Sequence, residues 1–266
     1  MKHTKERADD RKLLVRAIHE AGHAVFMWRG GEALYGDNWC DRIAPFEAII
    51  LSPYVGDCVP PLVFRGQQRR DVTGCVFTHE ISSLHHLNVP IKGGTTRERR
   101  AVQQWRKLKA WSEIIGGLAG PIAEEHHIAQ RDGYEPYFDW QNELDTAEIY
   151  GLIETDTTRA FALARALWRS PLRQALCLED AVAEIEAKLT GDPRYWRTIE
   201  ALADVLLARK TYRVGHDAAV HIMRKVWRRS PAGTILEQTA NEPGDTITPE
   251  LHIGPPWAAL PSREAE

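Results

Sequence analysis

The chain has 266 residues, 43% of them hydrophobic, so it is long and apolar enough to fold around a core and is neither disordered nor fibrous. Its 34 lysines and arginines nearly balance 37 aspartates and glutamates. The net charge of -3 excludes an overall positive charge that would attract nucleic acid or an anionic membrane. The widely spaced cysteines, the charged N-terminus and the lack of a long apolar stretch together predict a cytoplasmic protein without a membrane span.

The first predicted element is a helix from Asp9 to about Trp28. Leu14, Ile18 and Val25 recur at helical spacing there, and the Gly30-Gly31 pair is expected to end the helix. The next region, from Ile43 to Thr78, contains two short β-favouring runs, EAIILS and VTGCVF, on either side of a stretch rich in proline and glycine. This pattern predicts a small β-sheet after the first helix.

The rest of the chain is predicted to be mostly helical. One helix is expected from Thr96 to about Ile115 and a second from about Pro121 to Gln130, followed by helical periodicity in DWQNELDTAEIYGLI. Further helices are predicted over residues 157–169, 172–190, 194–210 and 215–229. Beyond Ser230 the periodicity is lost, so we expect one folded domain over residues 1–229 and a flexible tail over residues 230–266.

An H-E-x-x-H motif lies inside the first predicted helix, at His19, Glu20 and His23. Residues at positions i and i+4 share a helix face, so both imidazoles can reach one ion. Zinc prefers such nitrogen ligands, and a catalytic zinc site leaves one position for water. The motif predicts one zinc ion held by His19 and His23.

Glu20 stands next to the first ligand, where a carboxylate can lie beside the bound water without joining the metal. It can take a proton from that water during attack on a carbonyl and then protonate the leaving amine. Glu20 is therefore the predicted general base of a peptide hydrolysis reaction.

The string AIHEAGHAV resembles the active-site helix of the FtsH-type zinc proteases, the peptidase half of membrane-anchored AAA proteases. Two later blocks resemble the same family in the same order, IIGGLAGPIAEE at residues 114–125 and IEALADVLLARKTYRVGHDAAVHIM at residues 199–223. The resemblance implies an α+β fold: a mainly helical, zincin-like metallopeptidase domain with a small β-sheet inserted after the HExxH helix. The 266 residues include neither the family's ATPase module nor its transmembrane anchor, so we expect a stand-alone peptidase domain.

In this family an aspartate near the start of the helix after the AEE block completes the zinc site. The resemblance therefore implies a third ligand within DWQNELDTAEIY, where Asp139 and Glu143 compete. Asp139 is favoured because it has the right residue type near a predicted helix start. Glu143 competes because Asn142-Glu143-Leu144, with Ala147 beyond it, mimics the family's Asn-Asp-apolar-x-x-Ala pattern. The hypothesis requires a carboxylate from residues 139–145 to reach the two imidazoles.

The AEE block supplies Glu124 and Glu125, and one of them is expected to accept a hydrogen bond from a zinc-bound histidine. The remaining histidine clusters, His79 with His85 and His86, and His126 with His127, have no ligand spacing and are interpreted as surface or structural groups. In the basic run TRERRAVQQWRKLKAW, Val102, Trp105, Leu108 and Trp111 form one apolar stripe. The basic residues are interpreted as its solvated face rather than as a nucleic-acid site.

The sequence thus predicts a zinc-dependent endopeptidase acting on polypeptide substrates. A non-catalytic zinc-containing binding or regulatory module derived from a peptidase is the alternative, and a hydrolase of non-peptide amides shares the same chemistry. The chain has no phosphate-binding loop of its own, so a separate ATPase or unfoldase stays open as a partner, as does a homo-oligomer.

Overall fold

Eight helices and five short strands make up the part of the chain that this computed structural model describes, which is residues 2–36, 46–52, 62–64, 67–69, 74–77, 83–152 and 155–231. The elements in chain order are α1 (Lys2–Tyr35), β1 (Ala48–Leu51), β2 (Leu62–Phe64), β3 (Gln67–Arg69), β4 (Gly74–Phe77), α2 (Ser83–Asn88), α3 (Thr96–Asp132), α4 (Trp140–Ile149), α5 (Asp156–Leu167), α6 (Pro171–Gly191), α7 (Pro193–Ala208), β5 (Arg213–Gly215) and α8 (His216–Arg229). Most of these residues are helical and a small antiparallel sheet accompanies them, in agreement with the predicted α+β class.

Helix α1 does not end at Gly30-Gly31 but continues to Tyr35. The prediction is wrong because Gly30 serves a close contact between helices: a Cβ built on it would collide with the side-chain oxygen of Ser112 in α3. The helix ends instead before Gly36, whose φ of 80° lies in the left-handed region that favours glycine.

The two long helices α1 and α3 pack with their backbones unusually close. A Cβ on Gly22 would lie 2.7 Å from the carbonyl oxygen of Ala119 and 2.9 Å from the Cβ of Ala123. Around this point α1 and α3 bury their apolar faces against each other, including Val25 and Leu118, which are fully buried. The small residues therefore set the distance between the helix that carries the HExxH motif and its main neighbour.

Helix α3 is one continuous helix where the sequence predicted two. It begins with a capping box, in which Thr95 and Glu98 accept hydrogen bonds from each other's backbone amides, and ends before Gly133 at a φ of 78°. Pro121 lies in its interior and should cost about 3 kcal/mol there. The helix continues because Leu118 and Ile122, on either side of the proline, are buried. Burial of each of these side chains stabilises the fold by about 1.5–3 kcal/mol, which offsets this cost.

The sheet has the strand order β4-β1-β5, and all of its pairs are antiparallel. Strand β1 is central and buried over its whole length, with Ile49 opposite both Val76 of β4 and Val214 of β5. The predicted small sheet is confirmed, and its two β-favouring runs form β1 and β4, which pair with each other. Strand β5 was not predicted, because its three residues come from a distant part of the chain and gain their partners only through the tertiary fold.

The remaining helices, α5 to α8, match the four predicted windows at 157–169, 172–190, 194–210 and 215–229 to within a few residues. Thr155 caps α5 through a capping box with Thr158, and Asp192 caps α7 by accepting from the Arg194 amide. Their inner faces complete the core, with Leu178, Ile185, Leu202, Leu206 and Met223 all fully buried.

None of the helices in the described ranges combines the length and the apolarity that crossing a membrane requires. The tail predicted over residues 230–266 lies outside the described residues except for Ser230 and Pro231.

We expect Gly22→Ala to destabilise the protein by about 1–3 kcal/mol, because the added methyl group would push the backbones of α1 and α3 apart. Chemical denaturation monitored by circular dichroism measures this change. Gly117→Ala in α3 is the matched control, since a Cβ there meets nothing closer than 3.8 Å. The control should be neutral or stabilised by up to about 1 kcal/mol, and an equal gain in Gly22→Ala would contradict the packing argument.

Candidate metal centre

Three helices bring the candidate metal ligands together. Helix α1 contributes His19 and His23 from one face, and the first residue of α5 contributes Asp156. Helix α3 lies behind the two imidazoles and supplies groups that orient them. The ligand set therefore combines a local motif with a residue that is distant in sequence.

The possible ligand atoms of these three side chains converge on one point. The Nε2 atoms of His19 and His23 are 3.1 Å apart, and Oδ2 of Asp156 is 3.2 Å from each of them. All three atoms lie within 4.8 Å of one another, and no other group of metal-binding side chains within the described ranges has this geometry.

The hydrogen-bond partner of each Nδ1 atom indicates which nitrogen of the ring carries the proton. Nδ1 of His23 lies 2.7 Å from the carbonyl oxygen of Gly116, and Nδ1 of His19 lies 2.8 Å from Oε2 of Glu124. Both partners accept hydrogen bonds, so both Nδ1 atoms donate, and in a neutral imidazole Nε2 is then an acceptor. When both rings are neutral, two nitrogen lone pairs and a carboxylate oxygen therefore face one another, an arrangement that a metal ion or an added proton would stabilise.

The electrostatics of the site also favour positive charge. Burial opposes protonation of His19, but its hydrogen bonds to Asp156 and Glu124 outweigh burial and hold its pKa well above the usual value. For His23, the charge of Asp156 and the hydrogen bond to it likewise outweigh burial and raise the pKa. Burial would raise the pKa of Asp156, but the two histidines outweigh burial and hold that pKa far below its usual value. The site thus attracts a proton where no metal ion is present, and a metal ion can take the same place.

Glu20 is enclosed beside the two histidines. Its side chain is only 6% exposed, and burial raises its pKa against the opposing charges of His19 and His23. Strand β4 covers it, since a Cβ on Gly74 would come within 2.5 Å of Oε1 of Glu20. A carboxylate with a raised pKa is suited to accepting and returning a proton near neutral pH.

Two glycines leave the space that the site needs. A Cβ on Gly120 would collide with the Nε2, Cε1 and Cδ2 atoms of His23, and a Cβ on Gly74 would displace Glu20. No local pattern predicts these contacts, because each contact brings together two segments that are distant in sequence.

Neither of the two candidates for the third ligand is in the cluster. Asp139 is the N-cap of α4, where its Oδ1 atom accepts from the amides of Gln141 and Asn142 at 3.1 and 3.0 Å. Glu143 lies in the first turn of the same helix and is exposed. No carboxylate from residues 139–145 joins the two imidazoles, so the requirement stated from the sequence fails in that form. Asp156 of α5 lies beside the histidines instead, since α4 packs against α5 whereas α5 packs against α3.

A sequence signal for Asp156 was available. Asp156 precedes the buried Ala160 by four residues, which is the same acid-to-alanine spacing that made Glu143 a candidate. Thr155 and Thr158 also mark a helix start through the capping box. The signal was missed because residues 133–152, including α4, separate it from the AEE block and contain a nearer copy of the pattern.

Of the two acids in the AEE block, the structure places Glu124 on Nδ1 of His19. Glu125 instead contacts Tyr134 and lines a cavity of about 350 Å³ between α3 and α6.

The cavity is also lined by His126, whose Nε2 contacts Gln130 at 2.8 Å and whose ring packs on Trp196. Burial, together with the charge of His127, lowers the pKa of His126. His85 and His86 contact each other's rings, and His79 lies outside the described residues.

Comparisons with protein-family models, with curated proteins and with solved structures find no match to this chain. The interpretation of the site therefore depends on the residues themselves and on their geometry.

We expect Asp156→Ala to lower the affinity for zinc by about 100-fold or more, because it removes one of three converging ligand atoms. Competition with a chelating dye measures the affinity. Asp139→Ala is the matched control and should bind zinc like the unmodified protein, since Asp139 only caps α4. Weaker zinc binding by the Asp139 variant alone would restore the original expectation.

The thermal stabilisation by zinc should be larger at about pH 8 than at about pH 6. Without metal, the raised pKa of His19 and His23 stabilises the fold at low pH, and this contribution is lost as the pH rises through the folded-state pKa. Zinc competes with the protons on the same nitrogens, so its effect grows over the same window. Melting temperatures with and without saturating zinc at the two pH values test this, and equal shifts would contradict it.

Proposed function

We propose that the chain is a zinc-dependent endopeptidase of the FtsH type with a zincin-like fold, in which His19, His23 and Asp156 hold the metal and Glu20 is the general base. The observation that carries the proposal is the convergence of two imidazole lone pairs and one carboxylate oxygen beside a buried glutamate. Two histidines and a carboxylate are a ligand set of catalytic zinc, and they leave a fourth position open.

Zinc bound by these three side chains would supply a water of lowered pKa and polarise the carbonyl of the scissile bond. Glu20 takes one proton of the attacking water as the water oxygen bonds to the carbonyl carbon. It then gives this proton to the amine nitrogen as the C–N bond breaks, so that one water molecule is consumed and Glu20 ends as it began. Its raised pKa makes Glu20 a stronger base and brings the group nearer to neutral pH, where it can both accept and return a proton.

The side chains around the ligands keep them in place for this reaction. Glu124 and the carbonyl of Gly116 hold the Nδ1 protons, which keeps both Nε2 atoms available as ligands. Asp156 belongs to the first turn of α5, so its backbone is fixed by the helix that packs on α3. The reacting groups are thus attached to helices rather than to loops.

Polypeptide is the substrate class that the surrounding sheet favours. Among the described strands, β4 is at one edge of the sheet, and its Gly74 contacts Glu20. An extended peptide that pairs with such an edge adds one strand to the sheet and runs past the base. A separate unfoldase that delivers unfolded chains fits the same geometry and remains part of the proposal.

We expect Glu20→Gln to lose at least about 100-fold in the rate of cleavage of an unfolded fluorescent casein, with one zinc ion still bound per chain. The loss follows because glutamine cannot accept the proton. Metal analysis and the cleavage rate are measured on the same samples. Glu125→Gln is the matched control, since Glu125 neighbours the site in sequence but contacts Tyr134.

Unchanged cleavage in Glu20→Gln would contradict the role of Glu20. Stoichiometric zinc without cleavage of casein or of a peptide library by the unmodified protein would favour the non-catalytic zinc module over the peptidase.

A further inference from the structure

The cavity of about 350 Å³ between α3 and α6 lies outside the candidate metal centre. Its wall on α3 is formed by Ile122, Glu125 and His126, which share one face of the helix at positions i, i+3 and i+4. Glu124 contacts His19 from another face of the same turn. The cavity and the metal centre therefore lie on different sides of α3. The volume of the cavity is within the range of about 300–1,000 Å³ that small-molecule sites occupy.

The lining of this cavity combines apolar side chains with negative charge. None of the described residues that line it is a lysine or an arginine, whereas Glu135 and Glu186 belong to the lining. Neither of these two side chains has an ion-pair or hydrogen-bond partner among the described residues, and burial raises the pKa of Glu186. The third acid, Glu125, accepts a hydrogen bond from Tyr134 instead. The apolar part of the lining consists of Ile122, Phe138, Ala183, Ala187 and Leu189.

The acids of the cavity do not converge as metal ligands do. Within the described ranges, the one group of three or more metal-binding side chains whose ligand atoms lie within 4.8 Å of one another is that of the candidate metal centre. Separated carboxylates beside apolar side chains suit a larger, organic cation, whose hydrocarbon part can lie along the apolar lining. A lysine side chain and a free alkyl amine both have this form, because each is a hydrocarbon chain that ends in an ammonium group with three donors.

His126 adds a buried hydrogen-bonding group to the wall of the cavity. The residue is only 8% exposed, and its Nε2 atom lies 2.8 Å from the amide nitrogen of Gln130. The amide donates to Nε2, so Nδ1 carries the proton of the neutral ring. Nδ1 has no hydrogen-bond partner among the described residues, and a buried donor is costly to leave unpaired. A ligand that brings a carbonyl oxygen together with an ammonium group would satisfy both His126 and the acids.

We propose that this cavity binds a primary ammonium group carried on an apolar stem. The ammonium group pairs with Glu135 and Glu186, and the stem lies against Phe138 and Leu189. A lysine in a polypeptide also supplies a backbone carbonyl that accepts from Nδ1 of His126, which a free alkyl amine lacks. The polypeptide is therefore the favoured source of the ammonium group. This site does not depend on the proposed peptidase activity.

Isothermal titration calorimetry of the full chain tests the proposal with compounds that differ in one group at a time. N-acetyl-lysine N-methylamide should bind at least about tenfold more tightly than its norleucine analogue, because only lysine brings an ammonium group to the acids. Butylamine keeps the stem and the ammonium group but has no carbonyl. It should bind more weakly than the lysine compound and more tightly than butanol, its uncharged counterpart.

Two variants change the cavity in independent ways. Glu186→Gln removes one charge, and Ala187→Trp adds bulk to the wall without changing the charge. Each should weaken binding of the lysine compound by about tenfold. Glu179→Gln is the matched control, since it removes an exposed acid of the same helix that does not line the cavity, and it should bind the compound like the unmodified protein. Circular dichroism confirms that each variant is folded.

Equal binding of the lysine and norleucine compounds, or no measurable binding of either, would overturn the proposal. So would an unchanged affinity in both folded variants. Butylamine that binds as tightly as the lysine compound would support the ammonium site but assign it to free amines rather than to a polypeptide. Because every readout is binding without turnover, loss of the proposed peptidase activity would leave these results unaffected.

Discussion

The centre of this molecule depends on three potential ligand atoms that face one another. The Nε2 atoms of His19 and His23 and the Oδ2 atom of Asp156 lie 3.1–3.2 Å apart. Such an arrangement is unfavourable unless a cation occupies it, because buried lone pairs repel and have lost their water. Either an extra proton or a metal ion satisfies the site, and the raised pKa of both histidines expresses the same preference.

The close packing of α1 and α3 allows this arrangement to form. Because Gly22 lets the carbonyl of Ala119 approach, the backbone of α3 comes near enough for the carbonyl of Gly116 to accept from His23. Glu124, two turns further along α3, then reaches His19. One helix thus fixes the proton positions of both imidazoles, and the ligand pair depends on packing along the whole contact rather than on the motif alone.

The parts of the site that sequence could predict are those set by local geometry. His19, Glu20 and His23 lie within a single helical turn, so their mutual arrangement follows from the helix itself. Asp139 and Asp156 both stand at helix N-termini, and the choice between them depends on which helix packs on α3, which no local pattern reveals. The same limit explains why the helix ends predicted near Gly30 and Pro121 were wrong. Both residues are local helix-breaking signals, and favourable packing between α1 and α3 outweighs them.

Residues 133–152 also show that the contacts of His19 do not depend on the segment that lies between its two carboxylate partners in sequence. Residues 133–152 lie between Glu124 and Asp156 in sequence, yet both carboxylates contact His19. The contacts survive this interruption because each carboxylate is anchored on a helix of the core, α3 or α5, and neither depends on the chain that joins them. Helix α4 buries only Ala147, so it contributes little to the core that positions the candidate ligands.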